Sequence, residues 1–493
     1  MTEPQPRDLA EGLYMKFAAE LLSRLAAWTE QTGVPHIVEE RPHFHDDDPF
    51  PTRITRETPY YAWTLFSHLH DPFWGSGVVL DCAREHYERG LYPGSRRRDK
   101  APKESLMHNL IHSYLPDPVV YTLQIRGPEA TLEEVRQSYR EFADKWSSSI
   151  SRYDISVPLV GITGAVSGHE LELEASISDR LRVAPMTADD KNRLWRDKTQ
   201  FPYRNRLEEE LLGQVQFQLT GTFSEHLPRQ FPSLPLANDI YSFLLALRLY
   251  KAGDVGTPTI FRTSLEPTTS DATEAHSFEL GELRSFPQKY ILEPGDLNHV
   301  RAVYQRLDAL DARNGLAPLH VALHRYMQSC SRSRPEDYII DVTIALESCL
   351  LGRESELAYK FSLRGAALLV GTATLTPTRV KVLLAALYAS RNKIVHEGRS
   401  LNELASLPGV MEAAGNLDVS ELPKQWEELA RLVLHEFQVR LLTGMENRLP
   451  SGKMPKPNAA MGQIREELDG VLVEGLEALH RKSINAALEE DRL

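Results

Sequence analysis

The chain has 493 residues, too many for one ordinary hydrophobic core, and a length that divides naturally into two or three domains. No run approaches the ~18–20 apolar residues that a membrane-spanning helix needs. A net charge of −13 argues against broad, non-specific coating of nucleic acid and leaves room only for a local basic site.

Three cysteines, Cys82, Cys330 and Cys349, lie far apart in helix-like segments. That pattern excludes a cysteine-rich zinc framework and fits a reducing cytoplasm. The opening Met-Thr-Glu-Pro-Gln-Pro-Arg has no basic segment leading into an apolar one, so no secretory signal is expected and a cytoplasmic location is.

Residues 8–32 carry an amphipathic helix pattern that stops at Gly33. Two histidine tracts follow, His43-Phe-His45-Asp-Asp-Asp-Pro and His68-Leu-His70-Asp-Pro. On a strand, His-x-His puts both imidazoles on one face, a usable geometry for a divalent metal, whereas the Pro and Asp after each tract favour polar turns. Gly77 to Arg89 reads as a helix. Ser95-Arg-Arg-Arg-Asp-Lys-Ala-Pro-Lys103 reads as a basic loop, either a solvated connection or an RNA-contacting arm. Val119-Val-Tyr-Thr-Leu-Gln-Ile125 has the β-branched and aromatic content of a strand. Thr131 opens a helix, with Glu134 completing a capping box.

From Tyr153 onward short strands are expected at Ile155–Ile162, Glu170–Ala175 and Leu181–Ala184, separated by Gly, Ser and Asp. A short helix follows at Met186–Arg196, with Thr187 capping toward Asp190. Gln214 to Gly221 alternates polar and apolar residues and is the clearest strand signal. Ala237–Lys251 reads as a helix closed by Gly253, and Thr257–Thr263 as a further strand. This middle region has no Gly-rich phosphate loop, no Gly-x-Ser-x-Gly elbow and no His-Glu-x-x-His pair. Pro-rich punctuation near Phe286–Gly295 marks a boundary.

Beyond Asp296 the pattern is almost wholly helical, at about 297–311, 316–331, 335–351, 355–371, 376–397 and 421–442. Short connections imply antiparallel neighbours in a bundle. Thr443–Ala460 reads as a linker. Ile464, Leu468, Leu472, Leu476, Leu479 and Leu488 define a last amphipathic helix, which either docks on the bundle or joins two copies. The expected organisation is therefore multidomain α+β: an N-terminal α+β region over 1–150, a strand-rich mixed region over 151–292, a helical bundle over 293–442, a linker over 443–460 and a terminal helix over 461–493.

Val380 to Gly398 concentrates the chemistry. It reads as one helix, capped by Thr376, opened at Pro377 and stopped by Gly398. Val380, Leu383, Leu384, Leu387, Ile394 and Val395 share an apolar face, and Arg391 falls within it, where a cation needs a carboxylate or a phosphate. A second stripe about 140° round carries Val382, Ala385, Ala389, Asn392 and His396, small enough for another helix to approach closely, so burial on two sides is expected. From Thr376 to Ser400 five basic residues (Arg379, Lys381, Arg391, Lys393, Arg399) face one acid, Glu397.

Arg391-Asn392-x-x-x-His396 resembles the Arg-polar-x(n)-His signature of HEPN ribonucleases. The preceding helices resemble the Apea-like HEPN family through Ala322-Leu-His-Arg-Tyr326, Asp341-Val-Thr-Ile-Ala-Leu-Glu347 and Leu357-x-x-Lys-x-Ser-Leu-Arg-Gly-Ala-Ala-Leu-Leu369. The resemblance spans roughly 297–440, with looser similarity around Val157–Trp195 and Ile240–Gly256. It implies a helical HEPN bundle acting as a homodimer. It also implies metal-independent cleavage of RNA to 2′,3′-cyclic phosphate and 5′-hydroxyl ends without a cofactor, and a role in prokaryotic defence such as abortive infection. Arg391, Asn392 and His396 would be catalytic, with Lys393, Arg399 and Arg379 contacting RNA and the upstream region sensing a trigger ligand or protein.

The residue types fit that chemistry. Imidazole transfers protons near neutral pH, and in the last helical turn the dipole favours its charged form. Guanidinium offers a permanently charged fork for phosphate oxygens. On a regular helix Arg391 and His396 point about 140° apart and differ by ~7.5 Å of rise, so one copy serves a single phosphate poorly and two copies serve it better. Glu347, in an apolar run, needs a cationic partner; Arg364 and Arg391 both qualify, and Glu347–Arg364 is read as a structural pair. Two rivals stand beside the nuclease. One is a non-catalytic module binding RNA or a protein, in which Arg391 and His396 brace the fold. The other is a metal-dependent enzyme built on His43, His45, His68 and His70.

Overall fold

A computed structural model describes residues 6–33, 36–45, 48–59, 70–89, 110–147, 150–164, 175–196, 212–226, 234–257, 259–265, 273–277, 290–293, 295–311, 315–352, 354–371, 375–415, 418–446 and 457–475, with His68 and Met107. The basic segment Ser95–Lys103, the alternation at Glu170–Glu174, half of the Phe286–Gly295 boundary, the centre of the 443–460 linker and Leu476, Leu479 and Leu488 lie outside these residues.

In chain order the elements begin with α1 (Pro6–Thr32), the hairpin β1 (His36–His45) and β2 (Asp48–Pro59), α2 (Gly77–Glu88), α3 (Asp117–Arg126) and α4 (Leu132–Ser147). Next come β3 (Ile150–Leu159), β4 (Ile162–Gly164), β5 (Arg182–Pro185), α5 (Ala188–Arg196), β6 (Phe217–His226), α6 (Leu234–Tyr250), β7 (Thr259–Ser264), β8 (Thr273–Ser277) and β9 (Tyr290–Leu292). The rest is helical: α7 (Asp296–Asp311), α8 (Ala317–Ser329), α9 (Pro335–Leu350), α10 (Leu357–Leu368), α11 (Pro377–Glu397), α12 (Leu401–Leu404), α13 (Pro408–Ala414), α14 (Leu422–Glu446) and α15 (Pro457–Glu474). The protein is thus a mostly helical α+β chain with a small antiparallel sheet. No helix among the described residues is long and apolar enough to cross a membrane.

Two compact units interleave along the chain, one from 1–158, 180–233 and 259–277, the other from 159–179, 234–258 and 278–493. In the first, α1 lays Tyr14, Phe17, Leu21, Leu25 and Trp28 into a core completed by α2, α3 and α4. Tyr14 stacks on Tyr139 at 4.1 Å. His86 is fully buried, its Nδ1 2.8 Å from the Cys82 carbonyl and its Nε2 2.9 Å from the Tyr139 hydroxyl. An imidazole with both nitrogens satisfied inside a core packs as a structural residue, and burial pushes its pKa down.

Val119–Ile125 is helical, contrary to the strand its composition suggests. Pro118 sits in the first turn, where its missing N–H costs nothing, and Gly127 closes the helix at φ 79°. Val119, Val120 and Leu123 are buried while Ile125 is 57% exposed, a helical pattern that tertiary packing imposes over β propensity. His43 and His45 are likewise in a strand, not a turn, with His43 opposite Thr52 and His45 opposite Asp48.

The sheet of this unit runs β5–β6–β3–β7–β8, with β5–β6, β3–β7 and β7–β8 antiparallel. β6 starts at Phe217, and Gln218, on the side its alternation reads as polar, is buried. Its amide is satisfied by Asp190 at 2.9 Å, Pro185 O at 3.3 Å and the Ser156 hydroxyl. The same Asp190 receives the N–H and hydroxyl of Thr187, as its capping pattern predicts.

In the second unit α8 and α9 form an antiparallel pair clamped where Arg325 (2.9 Å) and Arg332 (2.6 Å) both reach the buried Asp341. Gly365 of α10 lies so close to α11 that a Cβ there would run into Leu384 Cδ1. Gly365→Ala is expected to cost about 1 kcal/mol in chemical denaturation, since the buried Leu384 side chain must leave its rotamer to admit one methyl group. Trp426 of α14 donates from Nε1 to the Leu383 carbonyl at 2.9 Å and seats α14 on α11.

α15 docks on the bundle of its own chain. Ile464 and Leu468 are buried, Asp469 pairs with Arg364, and Arg465 donates to the Ser348 and Cys349 carbonyls at the end of α9.

α7 and α14 meet where Arg306 Nη2 approaches His435 Nε2 at 2.7 Å. The guanidinium can only donate, so His435 is neutral and accepts. Burial, then Arg306 and Arg431, hold its pKa down at about 4. Folded below unfolded means stability present above about pH 6.5 and lost as pH falls toward 4. Over that interval His435 is expected to remove about 2 kcal/mol, allowing for partial exposure, and His435→Asn to flatten the slope in pH-resolved melts.

Candidate active site

α11 is built as its local signals require. Thr376 Oγ1 accepts the Arg379 N–H at 3.3 Å, Pro377 stands in the first turn, and Gly398 takes the left-handed conformation at φ 68° with its N–H on the Ile394 carbonyl. Val380, Leu383, Leu384, Leu387 and Ile394 are buried as expected. Val395 is not: it is 47% exposed.

The second stripe is also uncovered. Ala385, Ala389 and His396 are exposed, and Val382 and Asn392 half-buried. The expected burial on two sides is therefore met on one, because the helices packed on α11 take up only its Leu383–Leu384–Leu387 side.

Arg391 is half-buried at the edge of the covered face. Its Nη1 donates to Asn392 Oδ1 at 3.0 Å, while its Nε–H is buried and makes no hydrogen bond. Glu347 of α9 lies across from it. Glu336, in the first turn of α9, accepts the Leu401 N–H at 2.9 Å just beyond the end of α11, and eleven residues on Glu347 lies within the field of Arg391, so the two helices run antiparallel. Burial raises the Glu347 pKa and the Arg391 charge opposes that rise. Tyr388, one turn before Arg391, has its phenol pKa raised by burial and by Glu347.

Glu347 is not the partner of Arg364, contrary to the expected structural pair. Arg364 is buried, but it donates to Glu354 through both Nη atoms, to Asp469 through Nε and Nη2, and to the Leu350 carbonyl. Glu354, three residues beyond Leu351, arrives by the turn after α9, and no helical spacing signals it. Arg364 remains a structural residue with different partners.

The expected RNA-contacting cations are also distributed differently. Lys393 and Arg399 both pair with Glu397, the latter at 2.9 Å. Arg379 donates to the Glu412 and Ala413 carbonyls and so caps the end of α13. It stands twelve residues before Arg391, about 18 Å along the helix. Arg391, Asn392 and His396 thus share one helix end, with Glu347 and Tyr388 added, and Arg379 is elsewhere. Tyr388 escaped sequence reasoning because it reads as one more apolar residue of the face.

His68 stacks on Trp28 at 4.7 Å and its carbonyl receives Trp74 Nε1, so it packs against α1, while His70 is exposed. Among the described residues no three His, Cys, Asp or Glu side chains gather as a metal site would need.

Comparison with protein-family models, curated proteins and solved structures returns no match. Fold and site together define a mostly helical α+β protein with a half-buried arginine and an exposed histidine at the C-terminal end of one bundle helix.

Proposed function

We propose that the protein is a metal-independent endoribonuclease of HEPN type, active as a homodimer through α11. The observation that carries this reading is the pairing, on one helix end, of a half-buried arginine with a solvent-exposed histidine about one and a half turns on. In a second copy related by a two-fold axis, the open Ala385–Ala389 stripe admits its counterpart, and His396 of one subunit comes toward Arg391 of the other.

In the cleft so formed the ribose 2′-oxygen loses its proton to one imidazole and attacks phosphorus. Arg391 stabilises the charge on the non-bridging oxygens. The imidazolium so formed gives its proton to the departing 5′-oxygen. The P–O5′ bond breaks as the P–O2′ bond forms, leaving a 2′,3′-cyclic phosphate and a 5′-hydroxyl. Asn392 holds the guanidinium through its Oδ1. A cytoplasmic defence role, with the first 290 residues or so sensing a trigger, follows from the family resemblance.

The test is to incubate purified protein with cellular RNA in excess EDTA and determine the product ends. Cyclic phosphate and 5′-hydroxyl termini support the proposal. Activity only with added divalent metal points to the histidine tracts, and intact RNA under all conditions points to a binding module.

A further inference from the structure

Glu347 is unused by that mechanism. It occupies the apolar run Ile344–Leu351 of α9, half-buried, with Arg391 as the cation whose field reaches it. The antiparallel register of α9 and α11 places it on the side of Arg391 away from the open stripe. Tyr388 holds the same neighbourhood from α11, its ring anchored 5.2 Å from that of Phe361 on α10.

A half-buried guanidinium without compensating charge is expensive, and one with a closed bidentate ion pair has no free edge for phosphate. Glu347 and Arg391 sit between these limits: the carboxylate compensates the charge, and no ion pair is closed between them. Resting on the nuclease reading, we infer that Glu347 is a positioning residue, holding the Arg391 guanidinium at the mouth of the RNA site with Nη1 on Asn392 and the Nη2 edge left for the scissile phosphate. It touches no substrate and acts only through Arg391.

The experiment compares wild type, His396→Ala, Glu347→Gln and Glu347→Asp on a short RNA, with kcat and KM measured separately and melting temperature recorded for each. Glu347→Gln keeps the shape and removes the charge. Its kcat is expected to fall at least tenfold while KM stays level or drops, because the phosphate site becomes more positive. Its melting temperature should fall slightly, since the Arg391 charge loses its compensation, so rates are compared at a temperature where both proteins stay folded. Glu347→Asp, which retains the charge, should recover part of the rate. A Glu347→Gln protein with wild-type kcat and KM overturns the inference, and so does a rate loss that disappears when both proteins are assayed well below their melting temperatures. If wild type is itself inactive, the nuclease reading falls and takes this inference with it. If wild type cleaves, His396→Ala does not and Glu347→Gln is indistinguishable from wild type, only the role of Glu347 is lost.

Discussion

His396→Ala is expected to reduce RNA cleavage by roughly 10²–10⁴-fold, the usual worth of a positioned proton-transfer group. Its side chain is exposed at the end of α11, so the fold should be unaffected and the melting temperature within error of wild type. Arg391→Ala should lose at least as much as a missing oxyanion donor, roughly 10²–10³-fold. Arg391→Lys keeps a charge for Glu347 yet loses the planar fork, and should stay well below wild type.

Subunit mixing separates a shared site from two independent ones. His396→Ala supplies an intact Arg391 and Arg391→Ala an intact His396. Random exchange makes half the dimers mixed, each with one complete cross-subunit site, so activity should return to roughly a quarter of wild type. A mixture as dead as its components would eliminate the cross-subunit arrangement.

Arg364→Met should produce the largest loss of stability of any single change considered. It removes the cation that satisfies Glu354, Asp469 and the Leu350 carbonyl together. Arg364, with Lys360 and the Gly352 N–H, holds the Glu354 pKa down to about 2. Breaking a buried pair by deleting one partner typically costs about 3–5 kcal/mol. Because Asp469 is substantially exposed, about 3 kcal/mol is expected here, read from urea denaturation of the whole chain. The second signature is local. Without Arg364, α15 loses its ionic tie to α10 and relies on Ile464, Leu468 and the Arg465 bonds, so limited proteolysis should cut near residue 457 sooner than in wild type. A wild-type cleavage pattern would show that those remaining contacts suffice.

Signals confined to one helical turn were legible without coordinates. The stops of α1 and α11 at Gly33 and Gly398, the cap at Thr376 and the Thr131–Glu134 and Thr187–Asp190 boxes all bring donor and acceptor within three or four residues. Sequence distance and spatial distance are then nearly the same quantity. The six helices expected after residue 296 follow for a related reason: apolar periodicity records burial directly, whatever covers it. The small elements α12 and α13 carry too few residues to show a period.

Questions about which surface meets which could be answered only by the folded chain. Val119–Ile125 is helical because α1 and α4 bury Val119, Val120 and Leu123 together, which no local propensity encodes. Gln218 is inside because Ser156, Asp190 and Pro185, remote in sequence, converge on its amide.

The same division runs through the candidate site. The sequence alone determined that Arg391, Asn392 and His396 end one helix, that Arg391 shares the buried face, and that Glu347 and Arg364 are charges in apolar surroundings. Tertiary structure alone decided that Arg364 belongs to Glu354 and Asp469, that Glu347 faces Arg391, and that the Ala385–Ala389–His396 stripe is open. A charge's need for a partner is a property of its own neighbourhood, whereas the partner's identity depends on how distant helices cross.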